Sequence, residues 1–385
     1  MTRRWGRASV GLLGAVLAVP CAAPSRVEAQ APPSGGELVV TTTVLPLLDE
    51  TGPDARGLAV DLNDRGVVVG SSGLWPTLWR RGEVVALTDD EPPDGGYGTA
   101  VNERGEVIVN RLDRPLTRWF RGRTTELDLG PESRLWQLGG FNDRGQALLL
   151  RWVTQGAEIG IWAPDGSFTP IPAPEGYSIE PVALSEAGHV VGNLTPLGSG
   201  YQTRPFVWKD GELTVLAEWG LARGVNRRGQ VAGLVFDPDD PDRWPLGRAT
   251  VWDDGEEIPV VPDEVRYSSV EDINDRGQVV GVWAAGAEAG HAYLWDDGTM
   301  IELVAPNGRT PAPTQVNERG QVVGYYSVDT ATFRAFFWDH GDVVDLGPGI
   351  GPRDLNDRGQ ALGRLLVDPV NGQERPIMWT VRRRR

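Results

Sequence analysis

The chain repeats one short pattern of polar and apolar positions eight times. In each copy an Asn-x-Arg-Gly turn, or a close variant, is followed by alternating apolar residues and then by a tryptophan, 16 to 26 residues after the asparagine position. Successive turns are 39 to 48 residues apart, a spacing typical of propeller blades. The turns begin at Asn63, Asn102, Asn142, Ser185, Asn226, Asn274, Asn317 and Asn356, and the tryptophans are Trp79, Trp119, Trp162, Trp208, Trp252, Trp295, Trp338 and Trp379.

The segment 313–347 shows the four strands predicted within one copy. They are Pro313–Val316, Gln321–Ser327, Phe333–Trp338 and Asp342–Leu346. Asn317 to Gly320 predicts a type I turn with a glycine bulge, because asparagine bonds its own backbone and glycine accepts positive φ. We predict the same kind of turn between the third and fourth strands, as at Asp296–Gly298. This turn chemistry explains the asparagines better than a ligand-binding role does.

The tryptophan ends the third strand of each copy, in runs such as Arg204–Trp208 and His291–Trp295. A large ring at every copy of a repeat predicts hydrophobic filling between blades, rather than a platform for stacking sugars.

The two chain ends predict how the ring closes. After Trp379 the chain ends at Arg385, so the last copy lacks its fourth strand, whereas Gly36–Val40 matches that missing strand and precedes the first copy. Pairing these segments would cover the open edges. The predicted fold is therefore all-β: a closed β-propeller of eight four-stranded blades, with the N-terminal strand completing the last blade.

The N-terminus and the composition predict an exported protein. Residues 1–29 combine arginines, an apolar run of about 11 residues and a small-residue cleavage site, as in a signal peptide too short to span a bilayer. We expect a linker at 30–36, the propeller at 37–381 and a basic tail at 382–385, solvated or serving as an interaction handle. The export route, general secretory or twin-arginine, stays open. We expect the protein to be secreted, and to be either extracellular or periplasmic.

The net charge limits the kinds of partner that this chain is expected to bind. The formal net charge is −16, and the leader contributes +3 of its own, so residues 30–385 carry −19. This acidity argues against nucleic acid and anionic membranes, both of which attract cationic proteins. We expect a monomer with no membrane span, which binds polysaccharide or protein at the cell surface.

Strand direction predicts where a ligand would bind. Both tight turns of each blade emerge on one face of the ring, and the variable links emerge on the other, where binding residues are favoured. Five aromatic residues precede the turns on that face, near the mouth of the channel: Tyr97, Trp136, Tyr177, Trp219 and Tyr267. They are candidate ligand-binding residues, and blade packing is the alternative explanation.

Other chemistry is sparse. Four acids of one link, Asp237, Asp239, Asp240 and Asp242, are weak candidates for Ca²⁺, because their interleaved prolines and missing glycine differ from a calcium loop. No nucleophile-elbow motif is present, and the three histidines have no shared spacing. We therefore predict no cofactor and no catalytic residue.

The repeat resembles a known family. Ile273–Gly281 followed by His291–Gly298 looks like the HAF repeat of bacterial extracellular proteins, a resemblance that extends from Gly36 to about Val381. The resemblance implies export and a propeller-like fold and brings no known activity. Ser185–Gly188 departs from it by losing the Asn and the Arg, and His291 alone keeps the family histidine.

Two classes of function remain. The first is an exported, non-enzymatic binding module or scaffold that takes polysaccharide or protein on the variable-loop face. The alternative is a carbohydrate-active enzyme, a hydrolase or lyase, with carboxylates at the central mouth; it requires carboxylates that converge and have raised pKa values.

Overall fold

A computed structural model describes residues 36–384 except 51–54, 89–94, 155, 199–201, 238–246, 263–264, 266, 286–289, 331, 348 and 369–372. The described residues form antiparallel strands and one short 3₁₀ helix, Ser133–Leu135. No helix among them is long and apolar enough to cross a membrane. The predicted signal peptide at 1–29 and the linker up to residue 35 lie outside the described residues.

The strands assemble into eight separate sheets, one per repeat. The chain begins with β1 (Leu38–Val44) and then forms the first four blades in order. Blade 1 comprises β2 (Gly57–Leu62), β3 (Val68–Ser72), β4 (Trp75–Arg80) and β5 (Glu83–Ala86). Blade 2 comprises β6 (Gly96–Val101), β7 (Val107–Arg111), β8 (Thr117–Phe120) and β9 (Arg123–Glu126). Blade 3 comprises β10 (Gln137–Phe141), β11 (Ala147–Val153), β12 (Gly156–Trp162) and β13 (Phe168–Ile171). Blade 4 comprises β14 (Tyr177–Leu184), β15 (Val190–Pro196), β16 (Arg204–Lys209) and β17 (Glu212–Val215).

The second half of the ring follows the same plan, with one strand broken in two. Blade 5 comprises β18 (Gly220–Val225), β19 (Val231–Val235), β20 (Arg248–Asp253) and β21 (Glu256–Pro259). Blade 6 comprises a divided first strand, β22 (Tyr267–Ser268) and β23 (Asp272–Ile273), then β24 (Val279–Ala284), β25 (His291–Asp296) and β26 (Thr299–Leu303). Blade 7 comprises β27 (Ala312–Val316), β28 (Val322–Ser327), β29 (Phe333–Asp339) and β30 (Asp342–Asp345). Blade 8 comprises β31 (Ile350–Leu355), β32 (Gln360–Asp368), β33 (Gln373–Arg383) and β1.

The N-terminal strand completes the last blade, as the sequence predicts. Strand β1 pairs antiparallel with β33, from Leu38 opposite Arg383 to Val44 opposite Ile377. The strand extends two residues past the predicted boundary at 381. Arg383, expected in the solvated tail, instead forms ion pairs with Asp339 and Asp342 of blade 7. The C-terminal strand thus joins blade 8 to blade 7 as well as to the N-terminus.

The first tight turn has the predicted geometry. In blade 1 the Asn63 Oδ1 accepts the backbone N–H groups of Arg65 and Val67, at 3.1 and 3.0 Å. Gly66 has a φ of 76°, which glycine adopts without the steric cost a side chain would bring. The same bonds recur in the other blades that carry asparagine, for example at Asn274.

The second tight turn is of a different type from the one predicted. Asp297 and Gly298 have φ values of 44° and 83°, and Asp296 pairs with Thr299, so the loop has two residues, both with positive φ. This is a type I′ turn, whose twist matches that of the flanking strands. The prediction of a type I turn with a bulge was wrong here because aspartate tolerates the left-handed conformation that a type I′ turn needs.

The repeat tryptophans fill the space between blades, as predicted. Seven of them are buried, from Trp379 at 0 % exposure to Trp295 at 6 %, and Trp119 is half-buried. Neighbouring sheets share these clusters: Trp338 of blade 7 packs with Val280 and Leu294 of blade 6.

Each first strand lies innermost, because the first strands of successive blades contact one another around the whole ring. Each also carries an irregularity three residues before its turn, such as the shift between Ala59 and Asp61. A β-carbon on Gly70, on the facing strand, would lie 1.8 Å from the Leu58 carbonyl oxygen. Glycine at this position therefore makes room for the bulge, which adds one residue to the innermost strand.

Candidate functional site

The turn asparagines link each blade to the next. Besides closing its own turn, the Nδ2 of Asn63 donates to the Asn102 carbonyl oxygen at 2.9 Å, and Asn102 donates to the Asn142 carbonyl oxygen at 3.2 Å. The chain of bonds continues across the closure, where the Asn356 Nδ2 donates to the Asn63 carbonyl oxygen at 2.9 Å. Further links join Asn142 to Ser185, Asn226 to Asn274, Asn274 to Asn317, and Asn317 to Asn356. The asparagine side chains therefore form hydrogen bonds within the fold, both to their own turn and to the next blade.

A second ring of hydrogen bonds between blades lies beside the one made by the asparagines. It is formed by the residue that follows the first position of each turn. The Asp64 N–H donates to the Glu103 carboxylate at 2.5 Å, and the Asp357 N–H donates to the Asp64 carboxylate at 2.7 Å. Seven of the eight positions carry an acid: Asp64, Glu103, Asp143, Glu186, Asp275, Glu318 and Asp357, with Arg227 in blade 5. Their side chains accept the N–H groups of neighbouring blades, so this ring is a second set of joints.

Crowding of these carboxylates changes their protonation. Burial, followed by the neighbouring charges of Asp275, Asp357 and Asp272, raises the pKa of Glu318 to about 7. Burial likewise raises the pKa values of Glu103 and Glu186.

The interface between blades 4 and 5 is joined by different residues from the others. Ser185 stands where the other blades have asparagine, and its hydroxyl lies 3.1 Å from the Nδ1 of His189 in the same turn. Blades 4 and 5 are joined instead by Asn193, whose Oδ1 accepts the Ala222 N–H at 2.8 Å. The departure of this repeat from the family pattern is therefore compensated on another strand.

Two of the five predicted aromatic residues are buried. Trp136 is 8 % exposed and packs edge-on against Phe168, with ring centroids 5.1 Å apart. Trp219 is 9 % exposed and lies in a hydrophobic cluster beside Phe236. Rings as buried as these offer little face to a ligand, so blade packing, the alternative explanation, accounts for both.

The other three aromatic residues remain accessible. Tyr97 and Tyr177 are half-buried, and Tyr267 is 38 % exposed. The Arg204 guanidinium lies 5.5 Å above the Tyr177 ring, and the Asn110 Nδ2 donates to the Tyr97 hydroxyl at 3.4 Å. The structure places the three residues on blades 2, 4 and 6, so they do not form one contiguous platform.

Of the four candidate calcium-binding aspartates, one lies among the residues that the structure describes. Asp237 is exposed, and Asp239, Asp240 and Asp242 lie outside the described residues. Elsewhere in the described chain, no three His, Cys, Asp or Glu side chains are grouped so that they could hold a metal ion.

The bulge positions of the innermost strands hold residues that the sequence pattern did not single out. Most blades have a small or neutral residue there: Val60, Thr99, Gly139, Val182 and Thr314. Blades 5, 6 and 8 instead have Arg223, Glu271 and Arg353. Aligning the repeats on their asparagines and reading three residues back would have revealed these three charges.

Glu271 occupies the most irregular of these positions, where the first strand of blade 6 is interrupted between Ser268 and Asp272. The Ser269 hydroxyl donates to its Oε1 at 2.8 Å, and the Tyr293 hydroxyl donates to the Ser269 carbonyl oxygen at 2.8 Å. Burial raises the pKa of Glu271, against the opposing effects of Ser269 and of Arg223. This carboxyl group therefore holds a proton at higher pH than an exposed glutamate does.

Exposed apolar side chains concentrate at the variable links. A β-carbon on Gly95 would lie 3.5 Å from a Leu74 methyl and 3.9 Å from a Leu112 methyl, so these leucines of blades 1 and 2 border one surface. Further members occur on other blades and links: Leu48, Leu135, Trp152, Val153, Leu197, Tyr267, Val328, Phe333, Leu366 and Val367. Among the described residues, the tight turns of the opposite face contribute no large exposed apolar side chain.

The chain matches no family model and no curated protein sequence. Its structure is similar to those of β-propeller proteins. A prolyl endopeptidase matches with 12 % identity and a TM-score of 0.52, over 86 % of this chain and 55 % of that one. The β-propeller domain of the Trilobed protease from Pyrococcus furiosus, described as having an open velcro topology, matches with 11 % identity and a TM-score of 0.50, over 85 % of this chain and 97 % of that one. An oligogalacturonate lyase in complex with manganese matches with 15 % identity and a TM-score of 0.48, over 72 % of this chain and 86 % of that one. At these identities the likeness shows the fold alone: this chain is a β-propeller, and its velcro is closed by β1 and β33.

Proposed function

We propose that this chain is an exported, non-enzymatic β-propeller that binds a protein partner through its variable-loop face. The observation that carries the proposal is the accumulation of exposed leucine, valine and aromatic side chains at the variable links. A soluble protein that keeps such residues on one face gains nothing for its own fold, whereas a partner that covers them gains hydrophobic free energy.

The chemistry of these residues favours protein over polysaccharide. Sugars stack on flat aromatic rings, but Leu74, Leu112, Leu197, Val328 and Val367 are aliphatic. Export is supported by the leader pattern at residues 1–29 and by the HAF-repeat resemblance.

The alternative function is a carbohydrate-active enzyme. Two carboxyl groups on inner strands favour it, because their pKa values are raised. Burial raises the pKa values of Glu180 and Glu271, which lie on blades 4 and 6. Blade 5 stands between them, and the described residues around them include no third acid arranged with them as a metal site.

The proposal is tested with the mature protein, residues 30–385. Immobilised protein is used to recover a partner from the exported proteins of the bacterium that makes it, and the affinity of the purified partner is then measured. The double variant Leu74→Ser/Leu112→Ser should weaken binding at least about tenfold, because each leucine contributes about 1 to 2 kcal/mol when covered.

The control variant is Val39→Ser/Val215→Ser, which changes exposed valines of the outermost strands. It should bind as the parent does. A glycan array with a reducing-end assay runs in parallel. Equal losses in the two variants, or glycan binding or cleavage without a protein partner, would refute the proposal.

A further inference from the structure

We propose that Arg223, on the innermost strand of blade 5, binds a carboxylate of a protein segment that enters the central channel, with Tyr267 and Glu271 of blade 6 beside it. This inference rests on the proposed function, because the segment belongs to the partner that covers the variable-loop face. It adds a charged contact inside the ring to the apolar contacts outside it.

Two polar side chains here, Arg223 and Tyr267, make no side-chain hydrogen bond within the described residues, and Glu271 lies beside them. Arg223 is exposed, and within the described residues its guanidinium makes no hydrogen bond and no ion pair. The Tyr267 hydroxyl likewise has no hydrogen-bond partner in that part of the chain. The inner strands of blades 5 and 6 contact each other here: a β-carbon on Gly224, next to Arg223, would lie 3.1 Å from the Ile273 Cγ2. Arg223 and Glu271 both interact electrostatically with Tyr267, and Arg223 interacts with Glu271.

Several arginines near the variable links are already paired with carboxylates. Arg204 pairs with Glu218 at 2.6 Å, Arg248 with Glu257 at 2.6 Å, and Arg334 with Asp345 at 3.0 Å. An exposed guanidinium that makes no ion pair within the described residues can bind a ligand carboxylate through two parallel N–H···O bonds.

Glu271 is held in place by a residue of its own blade. Its Oε1 is fixed by the Ser269 hydroxyl, whose own position follows from the break in the strand. Besides Arg223 and Tyr267, the ionisable groups that act on or near it are Asp272, Tyr293 and Tyr325. Asp272 accepts the Val316 N–H with its carboxylate at 3.1 Å.

The ligand class follows from the groups around it. A guanidinium beside an accessible tyrosine hydroxyl suits a carboxylate. The exposed aliphatic residues of the variable links favour a polypeptide over an acidic polysaccharide as its carrier. On a polypeptide the carboxylate comes from the chain end or from an aspartate or glutamate.

The experiment uses an array of random decapeptides, probed with the mature protein. Each peptide is printed as free acid and as C-terminal amide, and each binder is reprinted with Asp and Glu replaced by Asn and Gln. Binding should depend on a carboxylate. Loss of binding in the amide form identifies the carboxylate of the chain end, and loss on replacement of Asp and Glu identifies a side-chain carboxylate. Alginate and polygalacturonate are added as competitors.

Arg223→Gln should weaken binding of these peptides at least tenfold, and Arg223→Lys should restore part of the loss. The matched control is Arg276→Gln, an exposed arginine of the tight-turn face of blade 6. It should bind as the parent does, and all variants should melt within a degree or two of it.

Three results would overturn the inference: no carboxylate-dependent peptide, equal binding by Arg223→Gln, or binding of the acidic polysaccharides alone. The proposed function fails separately, when Leu74→Ser/Leu112→Ser leaves affinity for the purified partner unchanged. A partner sensitive to the leucines and insensitive to Arg223→Gln would keep the binding face and remove the channel contact.

Discussion

The two faces of the ring use their side chains in opposite ways. On the tight-turn face the asparagines of seven repeats, and the acids of seven, bond to neighbouring blades, from Asn63 with Asn102 to Asn356 with Asn63. On the variable-loop face the links differ in length and carry exposed leucines such as Leu74, and on the innermost strand of blade 5 Arg223 makes no hydrogen bond or ion pair within the described residues. The repeated residues build the fold, and the residues that break the repeat are available for binding.

This contrast teaches that a repeat signature can be informative about structure and uninformative about function. The asparagine is kept because each blade needs a joint to its neighbour, whatever the ring binds. The residues proposed to bind a partner lie where one repeat differs from the others.

Removing residues 36–45 tests the closure of the ring, with the largest expected effect. Strand β1 would be lost, so β33 would present an unpaired edge and blade 8 would have three strands. We expect aggregation or loss of cooperative thermal unfolding. A soluble monomer with the parent's melting temperature would contradict the velcro shown by the β1–β33 pairing.

Truncating one tryptophan from each class tests the division between core and surface. Trp295→Ala removes a ring that is 6 % exposed, and we expect a cost of about 3 to 5 kcal/mol in the free energy of unfolding. Trp152→Ala, on the variable-loop face at 49 % exposure, should cost less than about 1 kcal/mol. Chemical denaturation measures both. Similar losses in the free energy of unfolding in the two variants would contradict the assignment of Trp295 to the core and Trp152 to the surface.

Replacing one joint tests the asparagine ring. Asn274→Ser should cost about 1 to 3 kcal/mol, because the Asn317 carbonyl oxygen loses its 2.8 Å bond to the Asn274 Nδ2. Serine is the natural residue of blade 4, but blade 6 has no equivalent of the Asn193 bond to Ala222. An unchanged free energy of unfolding would mean that the ring of bonds contributes nothing to holding the blades together.

The carboxylate ring predicts a pH dependence of smaller size. The pKa of Glu318 is raised to about 7, so the folded state holds its proton more tightly than the unfolded state does. Stability from this group is complete below about pH 4.5 and is lost as pH rises toward 7. Glu318→Gln should flatten the melting temperature between pH 4.5 and 8, an effect under about 1 kcal/mol at this partly exposed site. Glu83→Gln, an exposed control on β5, should leave the profile unchanged.

The sequence was sufficient for the fold because turn residues and tryptophans report local geometry directly. Asn, Gly and the strand alternation fix each blade, and the spare N-terminal strand fixes the closure. The bonds between blades were not predictable, since they join residues about 40 positions apart whose relative placement depends on the whole ring.

The candidate site was predicted less well, for a physical reason. Sequence position placed Trp136 and Trp219 near the mouth, but each ring turns into the space between blades, where burial of its large apolar area is favourable. Arg223 and Glu271 were missed because a one-residue bulge reverses the face to which a strand position points. Alternation alone cannot show that reversal.

Hydrogen exchange of the mature protein, free and bound to its purified partner, tests the central claim most directly. We predict that the partner slows exchange in the links at 72–75 and 111–116 and in the inner strand Gly220–Val225, and leaves the turns at 63–67 and 274–278 unchanged. Protection confined to those turns, with exchange in the links unaltered, would show that the repeat signature itself binds and would contradict the account.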